Sequence, residues 1–160
     1  MADFSHLSEK NQAQMVDISA KKESQRVATV GNEVTVSKSC ADKLTLDMLR
    51  EISSAARVAG VFAAKKTSET IPMCHPVAIT GCDIEISFDQ SQRKFFITVD
   101  AKTHSNTGVE MEAFCASSVA ALTIYDMIKA VDPAAVMGPM ILLKKTGGKS
   151  GDWNRNATNS

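Results

Sequence analysis

What this sequence lacks removes several function classes before any motif is read. Its formal net charge is zero, with 18 basic against 18 acidic side chains, so bulk electrostatics make no case for nucleic acid or an anionic membrane surface. Phosphate affinity would have to come from local clusters. The four cysteines, Cys40, Cys74, Cys82 and Cys115, include no C-x-x-C pair, which points to neither a zinc knuckle nor a redox dithiol. Reduced, mostly packed thiols are the expectation. MADFSHLSEKNQ lacks the apolar core of a signal peptide, and no apolar run is read as long enough to span a bilayer, so a soluble cytoplasmic protein is expected. No internal repeat is visible. A P-loop is also missing: GGKSG would need a glycine where Leu143 stands, and it follows the last predicted strand instead of opening a helix.

What is present reads as one domain with a real core, since 44% of the 160 residues are hydrophobic. The expected divisions are a polar arm at 1–14, a single α+β domain at 15–152 and a flexible tail at 153–160. Met15 to Ser19 is read as the start of a strand. Arg26 to Val36, rich in Val and Thr, is read as extended, with a break at Gly31-Asn32. Helices are expected near Ala41 to Glu51 and from Ser53 to Thr67, the second small enough in its Ala and Gly content to let a neighbour approach closely. Prolines 72 and 76 push the residues before them out of helical geometry, so 71–76 should be extended. Cys82, Ile84, Ile86 and Phe88 then alternate with polar residues, and Phe95, Ile97, Val99 and Ala101 resume the alternation after DQSQRK, which predicts an antiparallel hairpin. Asp132-Pro133 ends a long helix, Met140 to Lys145 is the last predicted strand, and 146–152 reads as a mobile glycine-rich segment. Strands mixed with helices in this order predict helices packed on one face of an antiparallel sheet.

The long helix, predicted over Thr107 to Val131, carries three charges in a segment otherwise expected to be packed almost all round: Glu112, Asp126 and Lys129. At ~100° per residue the three share one broad face, yet Glu112 and Asp126 lie about 21 Å apart along the axis. One small ligand cannot easily touch both ends of one helix, which hints at a site built between neighbouring copies of the chain. Simpler readings exist for most of these groups. Glu110 fits a T-x-x-E capping box from Thr107, Glu112 suits the positive end of the dipole, and Lys129 suits the negative end. Asp126 opposes the dipole, although an i,i+3 pair with Lys129 would also account for it.

Two further signals carry chemistry. Glycines at 147 and 148 with Lys144, Lys145 and Lys149 nearby are suited to an oligophosphate, or form a solvated basic tail. His75, between Cys74 and Pro76, is held rigidly enough for ligand contact or proton transfer, or is structural. Proton transfer beside a phosphorylated substrate fits the set without naming the substrate.

The segments MVDISAK, RVAG, AAKKT, IPMCHP, TGVEMEA, LTIYDMIKAV and GGKSGD, in this order over about residues 14–152, closely resemble the cyclic pyranopterin monophosphate synthase family of molybdenum cofactor biosynthesis. The resemblance implies a ferredoxin-like α+β sandwich, assembled as a hexamer (a trimer of dimers) with active sites at the dimer interface. It implies a phosphorus-oxygen lyase that converts 3′,8-cyclo-7,8-dihydroguanosine 5′-triphosphate to cyclic pyranopterin monophosphate with release of pyrophosphate. Such a reaction needs proton transfers and a neutralised triphosphate, so no cofactor or protein-bound metal is required, with Mg2+ on the triphosphate left open. The resemblance assigns Asp126 and Lys129 to catalysis, and Met73, Cys74, His75, Met111 and Glu112 to the base and ribose pocket, where Glu110 is included. Arg26, Lys65, Lys145 and Lys149 are its phosphate candidates. One position departs from the family: a Lys-Gly pair usually precedes the R-[IV]-A-G arginine by eight residues, and here that lysine, one of two key catalytic lysines, is Leu49, followed by Arg50. Lys43 or Arg50 are the stand-ins, though arginine cannot serve as a base. The alternative reading is a catalytically weak homologue that binds a purine or pterin phosphate as a regulatory or assembly subunit.

Overall fold

The computed structural model of the protein describes residues 4–149 and 151–155. Strand β1 (Ser24–Thr35) is followed by a short helix α1 (Lys38–Ala41), the long α2 (Leu46–Lys65) and a single turn α3 (Thr67–Thr70). A hairpin follows, β2 (Ile79–Asp89) and β3 (Lys94–Ser105), and then α4 (Glu110–Ile128). The chain closes with β4 (Val136–Met137), β5 (Ile141–Thr146) and β6 (Trp153–Asn154). The sheet order is β2-β3-β1-β5-β6, with β4 on β1, and its pairings are antiparallel. Taken along the chain, β1-α2-β2-β3-α4-β5 is the β-α-β-β-α-β connectivity of a ferredoxin-like sandwich.

Period-2 alternation decides which face is dry. Ala28, Val30 and Val34 of β1 stand opposite Ala101, Val99 and Phe95 of β3, and all six are buried. Helices α2 and α4 cover this face and pack on each other. Their seam is lined with small residues, Ala56, Gly60 and Ala64 from α2 and Ala113, Ala116 and Ala120 from α4. A Cβ on Gly60 would lie 2.6 Å from Ile84 Cδ1 and 2.9 Å from the Ala116 carbonyl oxygen, so the close approach requires glycine. The hairpin turn is pinned by Asp89, whose carboxylate accepts from the Ser91 and Gln92 backbone N–H groups at 2.8 and 3.0 Å.

Several expectations are corrected. The two helices at 41–51 and 53–67 are one helix, because nothing between Glu51 and Ser53 breaks it and both Ile52 and Ser53 are buried in its middle. Thr45 caps its start by accepting from the Met48 N–H at 3.3 Å. Gly31-Asn32 does not break β1. Gly31 instead makes room across the sheet, where a Cβ would come within 3.0 Å of Leu143 Cδ1, and buried Asn32 donates to the Ser117 carbonyl. Met15 to Ser19 forms no strand; Asp17 accepts from the Ser19 N–H at 2.9 Å and turns the chain. Within 71–76 the Cys74 N–H reaches the Ile71 carbonyl, so Pro72-Met73 makes a turn and extension begins only afterwards.

The glycine-rich segment, apart from Ser150, which lies outside the described residues, is tied to its surroundings. Gly147 donates to the Asp152 carboxylate, and the chain returns to pair Trp153 and Asn154 with Lys145 and Lys144. The start of the expected tail at 153 is therefore sheet, while 156–160 lie outside the described residues, as do 1–3 of the expected arm. Finally, Glu110–Ile128 does have the length and hydropathy of a membrane span. Its contacts with α2, β1 and β3 account for that apolar character within the domain.

Candidate active site

At the end of the sheet where β1 begins and β5 ends, the chain leaves a cleft of about 460 Å³ against the first turn of α4. Arg26 enters it from β1 and Lys145 from β5. The position of Lys145 depends on an irregularity in β5: Val30 pairs with Leu142, yet Thr29 pairs with Lys144 and Ala28 with Lys145, so one extra residue is inserted between them. Strict alternation from Leu142 would turn residue 145 to the opposite face. The bulge returns it to the helix side, where it meets α4.

Glu110 is held there by Lys145, whose Nζ lies 3.2 Å from Glu110 Oε1 with both side chains about one-third exposed. The capping box expected from Thr107 is not formed. Val109 occupies the cap position without a side-chain bond, and Glu110 folds over Gly108 toward Lys145. Arg26 donates from Nε to the Ser105 carbonyl at 3.0 Å and lies against Gly148, where any Cβ would collide with its guanidinium. Gly147 and Gly148 both have positive φ, +85° and +78°, so the turn that seats Arg26 is restricted to glycine twice over.

The opposite wall comes from Met73, Cys74 and His75, and Met111 and Glu112 close the helix side. Glu112 is 3% exposed. Burial pushes its carboxyl above the ordinary range, its own backbone N–H opposes the shift, and the charge of Glu110 adds to it. Burial likewise raises the Cys74 thiol, helped by Glu112 and Cys115, which argues against a thiolate nucleophile. A buried carboxyl with a raised pKa, lining the same cleft as two cations, suits a proton donor near an anion site.

A second groove, of about 810 Å³, continues from the first, sharing Lys21, Arg26, Thr107 and Gly108 and adding Lys22 and Lys149. Lys21 and Lys22 escaped the sequence reading. The signal was available in the paired lysines at the end of MVDISAKK, but nothing in their spacing connects them to Arg26. Together these cations can hold several phosphate groups, with the Gly108 and Gly148 backbone alongside.

Nine of the expected site residues therefore meet: Arg26, Met73, Cys74, His75, Glu110, Met111, Glu112 and Lys145 in the cleft, and Lys149 in its extension. Three do not join them. Lys65 ends α2 exposed, close enough to Cys82 for its charge to oppose the burial that raises that thiol. Asp126 and Lys129 sit at the far end of α4, paired at 2.6 Å and with side chains 70% and 57% exposed. Asp126 holds the Lys129 proton more tightly than usual through that bond and its charge. Leu49 is half-buried against the core, and Arg50 pairs with Asp47 at 3.1 Å. Lys43, by contrast, lines a groove with Met127, Ile128 and Val131, at the same end of α4 as Lys129. No group of three or more His, Cys, Asp or Glu suited to a metal ion occurs among the described residues.

Known proteins are similar to this chain along almost its whole length. Residues 15–148 match the model of the MoaC family. A cyclic pyranopterin monophosphate synthase of Geobacillus sp. (strain WCH70) is 47% identical over 161 residues, covering 97% of this chain and 93% of that protein. Proteins of the same name from Geobacillus kaustophilus (strain HTA426) and Bacillus cereus (strain B4264) are 47% and 44% identical, over 97% and 98% of this chain and 98% and 100% of their own lengths. Matched from Met15 to the glycine turn that seats Arg26, this chain belongs to the MoaC family.

Proposed function

We propose that the protein is a cyclic pyranopterin monophosphate synthase, a lyase of molybdenum cofactor biosynthesis. It converts 3′,8-cyclo-7,8-dihydroguanosine 5′-triphosphate to cyclic pyranopterin monophosphate and pyrophosphate. The observation that carries this is that a buried carboxyl, Glu112, lines the same cleft as Arg26, Lys145 and Lys21, with Lys149 in the adjoining groove, in a chain 47% identical to synthases along almost its whole length. The cations neutralise the triphosphate, the purine-derived rings lie against Met73, Cys74 and His75, and Glu112 exchanges protons with the opening ring.

Asp126 and Lys129 are the proposed catalytic pair, and they reach the cleft from a second copy of the chain. Their distances from Glu112 along α4, about 21 Å for Asp126 and about 25 Å for Lys129, support this, since no bend within one helix brings both ends to one ligand. Lys129 is pulled toward its charged form by Asp126 in the free chain, and burial in an interface would oppose that pull. A trimer of dimers is the proposed assembly and the cytoplasm the proposed compartment. No resident cofactor is assigned, and Mg2+ arrives with the triphosphate if the reaction uses it.

Incubation with the cyclised GTP intermediate, following pyrophosphate and the pterin product together, tests this reading. Equal amounts of the two products are expected. Nucleotide that binds and is recovered unchanged would contradict it.

A further inference from the structure

The family match begins at residue 15, yet the cleft is also lined by residues that precede it, Ser5 and His6. They belong to a small hairpin. Leu7 and Ala13 form a β-bridge, the Ser8 N–H reaches the Gln12 carbonyl at 2.8 Å, and the Gln14 N–H reaches the His6 carbonyl at 3.0 Å. Asn11, with φ of +56°, makes the turn. Among the described residues every hydrogen bond made by 4–14 stays within the segment. The hairpin is therefore a self-contained unit that hangs over the cleft from the chain at Met15.

Its histidine is oriented. His6 Nδ1 lies 3.2 Å from the Gln14 carbonyl oxygen. A carbonyl only accepts, so Nδ1 must be the donor, and this leaves Nε2 as the nitrogen available to a ligand. The same cleft contains Arg26 and Lys145, so the ligand most favoured there is an anion.

We infer that the N-terminal hairpin is a substrate-contacting lid and that His6, through Nε2, is a further binding residue for the phosphates of a nucleoside triphosphate. The inference rests on the proposed reading that a triphosphate occupies the cleft. As imidazolium, His6 donates from Nδ1 to Gln14 and from Nε2 to a phosphate oxygen, so one side chain couples lid closure to the anion. An apolar or carboxylate side chain at position 6 would leave the hairpin fold possible and remove the contact.

The test is equilibrium binding of GTP, and separately of inorganic pyrophosphate, to the full chain and to its His6→Ala and His6→Gln variants, with thermal midpoints measured in parallel. His6→Ala should weaken both ligands roughly tenfold or more, as for the loss of a hydrogen bond to a charged group. His6→Gln, whose amide offers a donor in place of Nε2, should recover most of that loss at an unchanged midpoint. Where turnover is measured, KM rises and kcat is kept. Binding by His6→Ala as tight as by the parent would overturn the inference. Equal weakening in both variants with a lowered midpoint would also overturn it, because that marks a role in folding alone. Since binding needs no turnover, the contribution of His6 can be measured even in a protein that fails as a synthase.

Discussion

A carboxylate in the first turn of a helix usually gains from the dipole and from water together, but Glu112 has kept the first and lost the second. Its raised pKa has a defined consequence for stability. The folded protein holds the Glu112 proton more tightly than the unfolded chain, so this group's contribution is greatest below the ordinary value of 4.5 and declines as pH rises from there through the folded-state value. Glu112→Gln should therefore flatten the thermal midpoint against pH in the window just above 4.5, relative to the parent, in scanning calorimetry. The same variant should lower kcat by on the order of a hundredfold or more if the carboxyl transfers a proton. A variant with parental kcat would reduce Glu112 to a packing residue. For the anion site, Arg26→Ala and Lys145→Ala should each weaken pyrophosphate binding by roughly ten- to a hundredfold in calorimetric titration. Loss from Lys65→Ala should be negligible, since that exposed side chain lines neither the cleft nor its extension. Leu49 belongs to this scale as well. It packs with the core, so Leu49→Lys is expected to lower the thermal midpoint whether or not it alters turnover.

Among the elements, the seam of α2 and α4 is the most sensitive to a single added methyl. Gly60→Ala places its Cβ within 3 Å of Ile84 and of the Ala116 carbonyl, and should cost about 1–3 kcal/mol in urea unfolding, more than offsetting the helix propensity that alanine gains. Stability equal to the parent's would mean that the seam relaxes. The hairpin has its own pH signature: its turn bonds hold the Asp89 carboxyl down to about 2 from an ordinary 3.8, so that stabilisation is present above 3.8 and is lost as pH falls through about 2. Asp89→Asn should remove this acid limb. How much of the architecture could be read in advance follows from such local rules. The β2-β3 hairpin was legible because Cys82 to Phe88 and Phe95 to Ala101 alternate cleanly, and α4 was legible from its length. The bulge that aims Lys145 was not legible, because it is a register shift against β1 and ILLKKT carries no glycine or proline to mark it. Nor was the Lys145 to Glu110 contact, which joins residues 35 apart and displaced an equally plausible capping box. The unbroken span of α2 was not legible, because the burial of Ile52 and Ser53 that keeps it helical there is a tertiary effect.

At the scale of the whole molecule, the two ends of α4 divide the proposed chemistry between them. One end carries a buried carboxyl in a cationic cleft, and the other carries an exposed Asp126–Lys129 pair that lines neither that cleft nor its extension. A closed dimer in which each copy lends its pair to the other's cleft uses both ends of the helix twice. The most direct test is to co-assemble Glu112→Gln chains with Lys129→Ala chains after joint refolding and to measure pyrophosphate release from the cyclised GTP intermediate. Each variant alone should be nearly inactive, and an equal mixture should regain about a quarter of the parental rate, because one site in four draws an intact cleft and an intact lysine from different chains. A mixture no more active than its components, although subunits have exchanged, would contradict a site shared between copies.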